Sequence, residues 1–369
     1  MQYKFLFSIV MLAIFLQNLS FAAINNIQTV QRINTSLGVV MKEIKITDIE
    51  NIHIGQTENI EAATGCTVFI CEQGMPAGLD VRGGGPASRE SELLKPLASA
   101  DIIHAIVLGG GSAFGLDAAG GVMKYLEEKG IGFNVGVTKV PLVCQSDIFD
   151  LTVGDAFIRP DKEMGYKVAK EAEKNNYRDG NYGVGCGASV GKLAGMEYCM
   201  KSGIGSYAVQ IGQLKIGAVV VVNALGDIFD HATGQKIAGL LSEDKKSFRS
   251  STEFMYQQYE KIENRFVGNT TIGIIITNAK FCKTELCKIA SMAQNGLARS
   301  IRPVHTSVDG DSIYAVSVGT IEADKDMIGT LSSDIMCKAI ARAVKSAESA
   351  YGFPAYKDIV TNESNDNKN

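Results

Sequence analysis

Residues 265–277 read RFVGNTTIGIIIT, and the rest of the chain is interpreted from this stretch. A turn-forming Gly268-Asn269 pair precedes Thr270, which opens an apolar, β-branched run typical of a buried strand. If the Asn269–Thr270 bond were cleaved, Thr270 would carry a hydroxyl nucleophile and a free α-amine. The amine is a base with an unperturbed pKa of roughly 7.7–8.0. The alternative is an ordinary turn that enters a core strand.

The composition is that of a globular protein with a large core. The chain has 369 residues, of which 46% are hydrophobic and 21% charged, and its net charge is −4. No cluster of Lys and Arg lines a face, so the electrostatic footprint of a nucleic-acid-binding protein is missing. The four histidines are far apart in sequence and the cysteines have no histidine beside them, so we expect no zinc site. Nucleophilic attack by a threonine hydroxyl needs no metal and no organic cofactor, and we expect neither.

Residues 1–22 have the pattern of a signal peptide. Lys4 precedes the apolar run 5–16, and Ser20-Phe21-Ala22 matches a small-x-small cleavage site. The run is shorter than the roughly 20 residues that a membrane-spanning helix needs. We therefore expect a periplasmic or secreted protein with no membrane association after removal of the signal, the alternative being an uncleaved anchor. Disulfides are allowed in such a compartment, and the sequence leaves the state of the eight cysteines open.

Strand and helix patterns follow one another without a repeat or a linker. This predicts a single α/β domain with mixed sheets and helices on the outside. Strands are predicted at 38–41, 67–70, 101–108, 131–135, 216–222, 272–276 and 313–318, and helices at 112–128, 161–174, 282–299 and 333–351. The polar residues 357–369 are expected to form a disordered tail.

A G-x-S-x-G pattern at residues 187–191 raises a second possibility for the nucleophile. It places Ser189 where an α/β-hydrolase has its nucleophile elbow. That elbow follows a core strand, whereas residues 181–186 are a Gly-rich loop. A serine esterase using Ser189 is therefore kept as an alternative function.

Four further residues at three sites suit a Thr270 nucleophile. Lys192 lies in a Gly-rich segment from which its amine could approach the Thr270 hydroxyl. Asn223 ends the predicted strand 216–222, where an amide N–H can stabilise an oxyanion. Asp309 and Asp311 lie in a turn and could orient an α-ammonium or Lys192. Each position also has a purely structural explanation, as a solvated lysine, a turn asparagine and a pair of turn aspartates.

Several long segments, in order along the chain, resemble the DmpA-type aminopeptidases, also called the P1 peptidase family. This family includes L-aminopeptidase/D-esterases, β-aminopeptidases and nylon-oligomer endohydrolases. The resemblance covers nearly all of the chain after the signal peptide. The segments that carry it are residues 64–68, 81–90, 110–119, 269–273 and 296–306.

The resemblance implies a four-layer αββα sandwich similar to that of N-terminal-nucleophile hydrolases. It also implies self-cleavage into an α segment, residues 23–269, and a β segment, residues 270–356. A homo-oligomer of these αβ units is expected.

The resemblance also implies roles for individual residues. It makes Thr270 the nucleophile and new N-terminus, with Asn269 on the other side of the cleaved bond. Lys192 and Asn223 match the catalytic lysine and the oxyanion asparagine, and the paired aspartates of the nylon-hydrolase branch match Asp309 and Asp311. One feature departs from the family, because characterised branches have a site tyrosine in the stretch that matches residues 140–147, and this chain has none there.

These patterns predict a self-processing hydrolase of peptide or other amide bonds. We expect an aminopeptidase, with esterase or amidase activity as variants, acting on a small peptide, amide or ester. The alternatives are the Ser189 esterase and a non-catalytic exported binding protein on the same fold.

Overall fold

The structure is a computed structural model that describes residues 33–34, 40–260 and 268–359, with no side-chain detail for 33–34. The predicted signal peptide, residues 38–39 of the first predicted strand and residues 360–369 of the predicted tail lie outside the described residues.

The strands form two large sheets and three small ones within the described residues. The strands are β1 (Ile33–Asn34), β2 (Val40–Ile44), β3 (His53–Asn59), β4 (Thr64–Met75), β5 (Ala77–Val81), β6 (Ala87–Arg89), β7 (Ile103–Gly109), β8 (Phe133–Asn134), β9 (Lys139–Val140), β10 (Val143–Asp147), β11 (Ser189–Val190), β12 (Met200–Lys201), β13 (Ile204–Ile211), β14 (Leu214–Asn223), β15 (Asp227–Phe229), β16 (Lys236–Ala238), β17 (Thr270–Ala279), β18 (Ile301–Arg302) and β19 (Ser312–Ile321). The α-helices are α1 (Ala118–Glu128), α2 (Lys162–Glu171), α3 (Ser251–Gln257), α4 (Lys283–Ser300) and α5 (Lys325–Lys345).

The larger sheet has seven strands in the order β1-β2-β13-β14-β17-β19-β5. Strand β17 lies next to the central strand β14, with which it pairs antiparallel, and pairs parallel with β19 on its other side. All three strands are apolar and almost entirely buried, as expected for central strands covered on both faces.

The smaller sheet has five strands in the order β3-β4-β7-β10-β6 and packs face to face on the larger one. Phe69 and Ile106 of the smaller sheet share one buried cluster with Val219, Ile274 and Tyr314 of the larger sheet. Burial of this apolar area is the main force that holds the two sheets together.

Helices cover the two outer faces. Leu286 of α4 and Ile340 of α5 belong to one buried cluster with Val220 and Ala315 of the larger sheet. On the smaller sheet, Val122 of α1 and Val168 of α2 form a separate buried cluster with neighbouring strand residues. The four layers are therefore helix, sheet, sheet and helix, and the predicted αββα fold is confirmed.

Several predicted elements have different bounds in the structure. Residues 112–117 form a 3-10 turn before α1, and the predicted strand 131–135 is reduced to β8 in an exposed hairpin with β9. Helix α5 begins earlier than predicted because the side chain of Asp324 caps it. The predicted tail begins too early, since residues 356–359 form a helical turn in which Ile359 is 1% exposed.

Two further observations concern the cysteines and the helices. All eight cysteines are described, and each is a free thiol. Among the described residues, no helix has both the length and the apolar character needed to cross a membrane.

Candidate active site

The end of β14 and the start of β17 bring two predicted site residues together. Asn223 is the last residue of β14 and Thr270 is the first residue of β17, and the two are register partners in the antiparallel pair. Both side chains are buried. The Thr270 hydroxyl donates to the Asn269 carbonyl oxygen, so the proposed nucleophile lies beside the bond that it would attack.

Lys192 reaches the same place from a separate loop. Its Nζ donates to Asn223 Oδ1 at 2.6 Å, to the Asn223 carbonyl at 3.3 Å and to the Gly268 carbonyl at 3.2 Å. The side chain is 2% exposed, and burial lowers the pKa of Lys192 to about 8, partly opposed by nearby acidic groups. Near neutral pH, Lys192 is therefore closer to losing its proton than a lysine in water.

Gly191 allows this approach. It has a φ of +78°, and a Cβ there would lie 2.1 Å from the backbone of Gly239. Only glycine is compatible with both the left-handed conformation and the close contact.

The side-chain amide of Asn223 is committed to its neighbours in the uncut chain. Its Nδ2 donates to the Phe149 carbonyl at 3.0 Å, and its Oδ1 accepts from Lys192 and from the Ser189 N–H at 3.2 Å. In this state Asn223 orients Lys192 and the loop at Phe149.

The donor to the Asn269 carbonyl is a backbone group that sequence reasoning missed. The Gly310 N–H lies 3.0 Å from that carbonyl oxygen, which is where negative charge develops during attack. A Cβ at residue 310 would lie 2.7 Å from Thr270 Oγ1, so glycine makes room for the nucleophile. The only sequence signal was a glycine between two aspartates.

Asp309 and Asp311 fix the turn that carries Gly310. Asp309 Oδ2 accepts from the Thr306 N–H at 2.7 Å and from its hydroxyl at 2.6 Å. Asp311 Oδ1 accepts from the Thr271 N–H at 2.7 Å, and Oδ2 lies 2.9 Å from His305 Nδ1.

The negative charges of the two carboxylates also influence each other. Burial, with the charge of Asp311, raises the pKa of Asp309 to about 6. Asp309 is hydrogen-bonded to the loop at Thr306, and Asp311 is hydrogen-bonded to β17 at Thr271. The negative charge of Asp309 also partly offsets the lowering of the pKa of Lys192 by burial.

Phe149 and Asp150 are the other site neighbours that the sequence did not reveal. The ring of Phe149 lies so close to Gly268 that a Cβ there would be 2.0 Å from it. The carboxylate of Asp150 accepts from the Thr64 hydroxyl and the Gly111 N–H, both at 2.7 Å, which fixes this loop. The aromatic residue at the site is thus a phenylalanine without a hydroxyl, and the stretch 140–147 contributes no tyrosine.

The arrangement of Ser189 differs from a nucleophile elbow. Ser189 opens the two-residue strand β11, and its hydroxyl is fully buried without a hydrogen-bond partner in the described part of the chain. An elbow exposes its serine at a sharp turn between a central strand and a helix. The alternative prediction of an α/β-hydrolase nucleophile elbow at Ser189 is therefore wrong for this fold.

With this geometry described, the chain can be compared with known proteins. A family model for peptidase family S58 matches residues 45–352. The chain belongs to peptidase family S58. This is the DmpA family that the sequence motifs resemble, and its members hydrolyse peptide and other amide bonds.

Two relatives and one solved structure illustrate the similarity of this S58 chain. An uncharacterised aminopeptidase of Mycobacterium leprae is 36% identical over 342 residues, which cover 84% of this chain and 92% of the relative. A 6-aminohexanoate-oligomer endohydrolase of a Kocuria species is 29% identical over 314 residues, covering 81% and 85%. The L-aminopeptidase D-Ala-esterase/amidase of Ochrobactrum anthropi, a variant of the Ntn hydrolase fold, superposes with a TM-score of 0.61 at 15% identity, covering 87% and 94%.

Proposed function

We propose that this S58 chain cleaves its own Asn269–Thr270 bond and then acts as an aminopeptidase with Thr270 as its N-terminal nucleophile. One observation carries the proposal. The Thr270 hydroxyl contacts the Asn269 carbonyl, and the same carbonyl oxygen accepts the Gly310 N–H at 3.0 Å. Nucleophile, target and oxyanion donor are thus assembled around one peptide bond.

In the first stage, Thr270 Oγ1 attacks the Asn269 carbonyl carbon. The hydroxyl proton passes to a base, for which we assign neutral Lys192, whose Nζ lies 3.2 Å from the Gly268 carbonyl oxygen, and Gly310 stabilises the oxyanion. The Asn269–Thr270 C–N bond then breaks as the Thr270 nitrogen takes up a proton, which leaves an ester on Oγ1. Water hydrolyses this ester to a carboxylate on Asn269 and a free Thr270 hydroxyl.

In the second stage, the same hydroxyl attacks the acyl carbon of a substrate amide or ester. The new α-amine of Thr270 or Lys192 accepts the proton and returns it to the leaving group. Gly310, with Asn223 as a second donor, stabilises the oxyanion, and water resolves the acyl-enzyme. Loss of one oxyanion donor costs about 3–4 kcal/mol in comparable sites.

The names of the relatives suggest two classes of substrate. The aminopeptidase of M. leprae has the higher identity, at 36%, and supports short peptides as the first class. The 6-aminohexanoate-oligomer endohydrolase supports linear amide oligomers as the second. Aminoacyl amides and an aminohexanoate oligomer should therefore be screened side by side.

The direct test compares two isosteric variants at adjacent positions. Thr270→Val removes the nucleophilic oxygen. Thr271→Val removes a buried hydroxyl that lies on the other face of β17 and has no hydrogen-bond partner within the residues that the structure describes. We expect Thr270→Val to abolish hydrolysis of aminoacyl amides and Thr271→Val to retain it. Full activity of Thr270→Val would refute the proposal.

Export and assembly are part of the same proposal. We expect the chain in the periplasm or the medium because of residues 1–22, and we expect it to form homo-oligomers. Cell fractionation and light scattering on the purified protein test these two points, and a monomer retained in the cytoplasm would contradict both.

A further inference from the structure

The Asn269 side chain is buried without a polar partner. It is 1% exposed, and neither Oδ1 nor Nδ2 has a hydrogen-bond partner among the described residues. The neighbouring backbone groups are engaged, since the Asn269 carbonyl accepts from Gly310 and the Gly268 carbonyl accepts from Lys192. A buried amide without partners is unfavourable, so this space suits an apolar side chain better.

Asn269 also occupies the acyl side of the bond that Thr270 attacks. Thr270 is held in place because β17 pairs with Asn223 on one side and Asp311 binds the next backbone N–H. A substrate carbonyl must therefore reach the same hydroxyl and the same Gly310 N–H as the Asn269 carbonyl does. The side chain on the substrate acyl carbon then enters the space that Asn269 fills in the uncut chain.

The residue before Asn269 packs against an apolar side chain. The aromatic ring of Phe149 lies against Gly268, where a Cβ would be 2.0–2.4 Å from three ring carbons. Departure of residues 268 and 269 after cleavage would uncover this ring on the acyl side of the cleaved bond.

On the basis of the proposed function, we propose that the space around the Asn269 side chain is the pocket for the N-terminal residue of the substrate. The pocket selects an unbranched or γ-branched apolar side chain, such as that of methionine or leucine, over asparagine, aspartate or lysine. The polar side chain of Asn269 is then poorly matched to the apolar pocket that it fills in the uncut chain. It regains hydrogen bonds to water on leaving, which favours release of the new C-terminus.

The first test compares leucyl and asparaginyl p-nitroanilides, whose side chains have similar shape. Because the asparagine amide would lose its hydrogen bonds to water, we expect kcat/KM for the leucyl substrate to be higher by about tenfold or more. Equal values, or a preference for asparagine, would overturn the pocket proposal and leave the proposed nucleophile intact.

The second test does not need activity. In the uncut Thr270→Val chain, we expect Asn269→Leu to raise Tm and Asn269→Asp to lower it. Asn278→Leu, near the far end of the strand that follows Asn269, is the matched control and should lower Tm, because the Asn278 side chain makes hydrogen bonds to the Lys215 N–H at 2.7 Å and the Gln213 carbonyl at 2.9 Å. A lower Tm for Asn269→Leu would overturn the apolar pocket.

The two tests separate the two proposals. Hydrolysis of neither anilide, together with a raised Tm for Asn269→Leu, would refute the aminopeptidase function and support the apolar pocket. Thr270-dependent hydrolysis without a preference for leucine would refute the pocket alone.

Discussion

Lys192 is the residue whose protonation state controls the proposed chemistry. Its Nζ contacts three oxygens in the uncut chain. The protonated ammonium has no acceptor site, so only the neutral amine can accept a proton. Burial lowers the pKa of Lys192 to about 8, whereas an arginine at this position would stay protonated.

We therefore expect the rate of self-cleavage to rise with pH and to level off above about pH 8. Lys192→Arg should slow cleavage at least about 100-fold, in line with the loss of a general base. The measurement is a time course of fragment formation from freshly translated precursor at a series of pH values. A rate independent of pH, or a normal rate for Lys192→Arg, would exclude this role.

Gly310 gives a second prediction for a single residue. Gly310→Ala places a Cβ 2.7 Å from Thr270 Oγ1 and should displace the hydroxyl or the N–H donor. We expect cleavage to slow by about 100-fold or more, as for the loss of an oxyanion donor. Gly85→Ala is the control in the adjoining loop, since its Cβ would meet only atoms at 3.8 Å. Equal cleavage by both variants would remove Gly310 from the mechanism.

At this scale, the sequence identified candidate side chains that the structure brings together, and their catalytic roles stay a prediction. Thr270 was recognisable because it follows a turn and opens an apolar run, and Asn223 because it ends one. Gly310 was missed because its backbone N–H makes the contact, and a backbone N–H leaves no trace in residue type. Phe149 was missed because the residues it contacts, Gly268 and Asn223, are distant in sequence. Asp150 was missed because its partners, such as Thr64, are distant in sequence.

Among the elements, the segment that carries β11 and β12 depends on a second buried lysine. Lys201 is fully buried, and its Nζ donates to the carbonyls of Gly185, Ala188 and Ser202. These bonds fix the segment that leads to Ser189 and Lys192. Burial lowers the pKa of Lys201 to about 7.

We expect Lys201→Met to lower the free energy of unfolding by about 3 kcal/mol or more, because three buried carbonyls lose their donor. The native protein should also become more stable as pH rises from about 7 toward about 10.4, because the unfolded lysine binds a proton more tightly in that window. Lys201→Met should weaken this dependence. Urea unfolding at several pH values measures both effects, and an unchanged midpoint would contradict them.

The buried strands were predicted more accurately than the exposed ones. β14 and β17 are continuous apolar runs, and both were identified close to their observed bounds. The segment 131–135 is just as apolar, but it forms the exposed hairpin of β8 and β9, because local composition does not reveal whether a partner sheet is present.

At the scale of the whole molecule, the proposed α and β segments share one sheet and one core. β17 and β19 of the β segment lie between β14 and β5 of the α segment. Helices α4 and α5 belong to the β segment and pack in the same cluster as Val220 of β14. Cleavage at residue 269 would break one peptide bond and leave these contacts in place.

We therefore expect the two fragments to remain together after cleavage. They should elute as one species in native size-exclusion chromatography and separate only in denaturant. Separate elution under native conditions would mean that the shared sheet does not survive cleavage.

The overall architecture depended on the family resemblance more than on periodicity. Alternating helices and strands indicated an α/β domain, but the stacking of two sheets depends on contacts such as that between the Ser146 and Tyr314 hydroxyls, 168 residues apart. Such pairs have no local signature in the sequence.

The most direct test of the account is intact-mass spectrometry of the wild-type chain beside Thr270→Val and Thr271→Val. We expect two fragments that meet at Asn269 and Thr270 for the wild type and for Thr271→Val, and one uncut chain for Thr270→Val. An uncut wild-type chain, or cleavage of Thr270→Val at the same bond, would contradict the central claim that Thr270 is a self-generated N-terminal nucleophile.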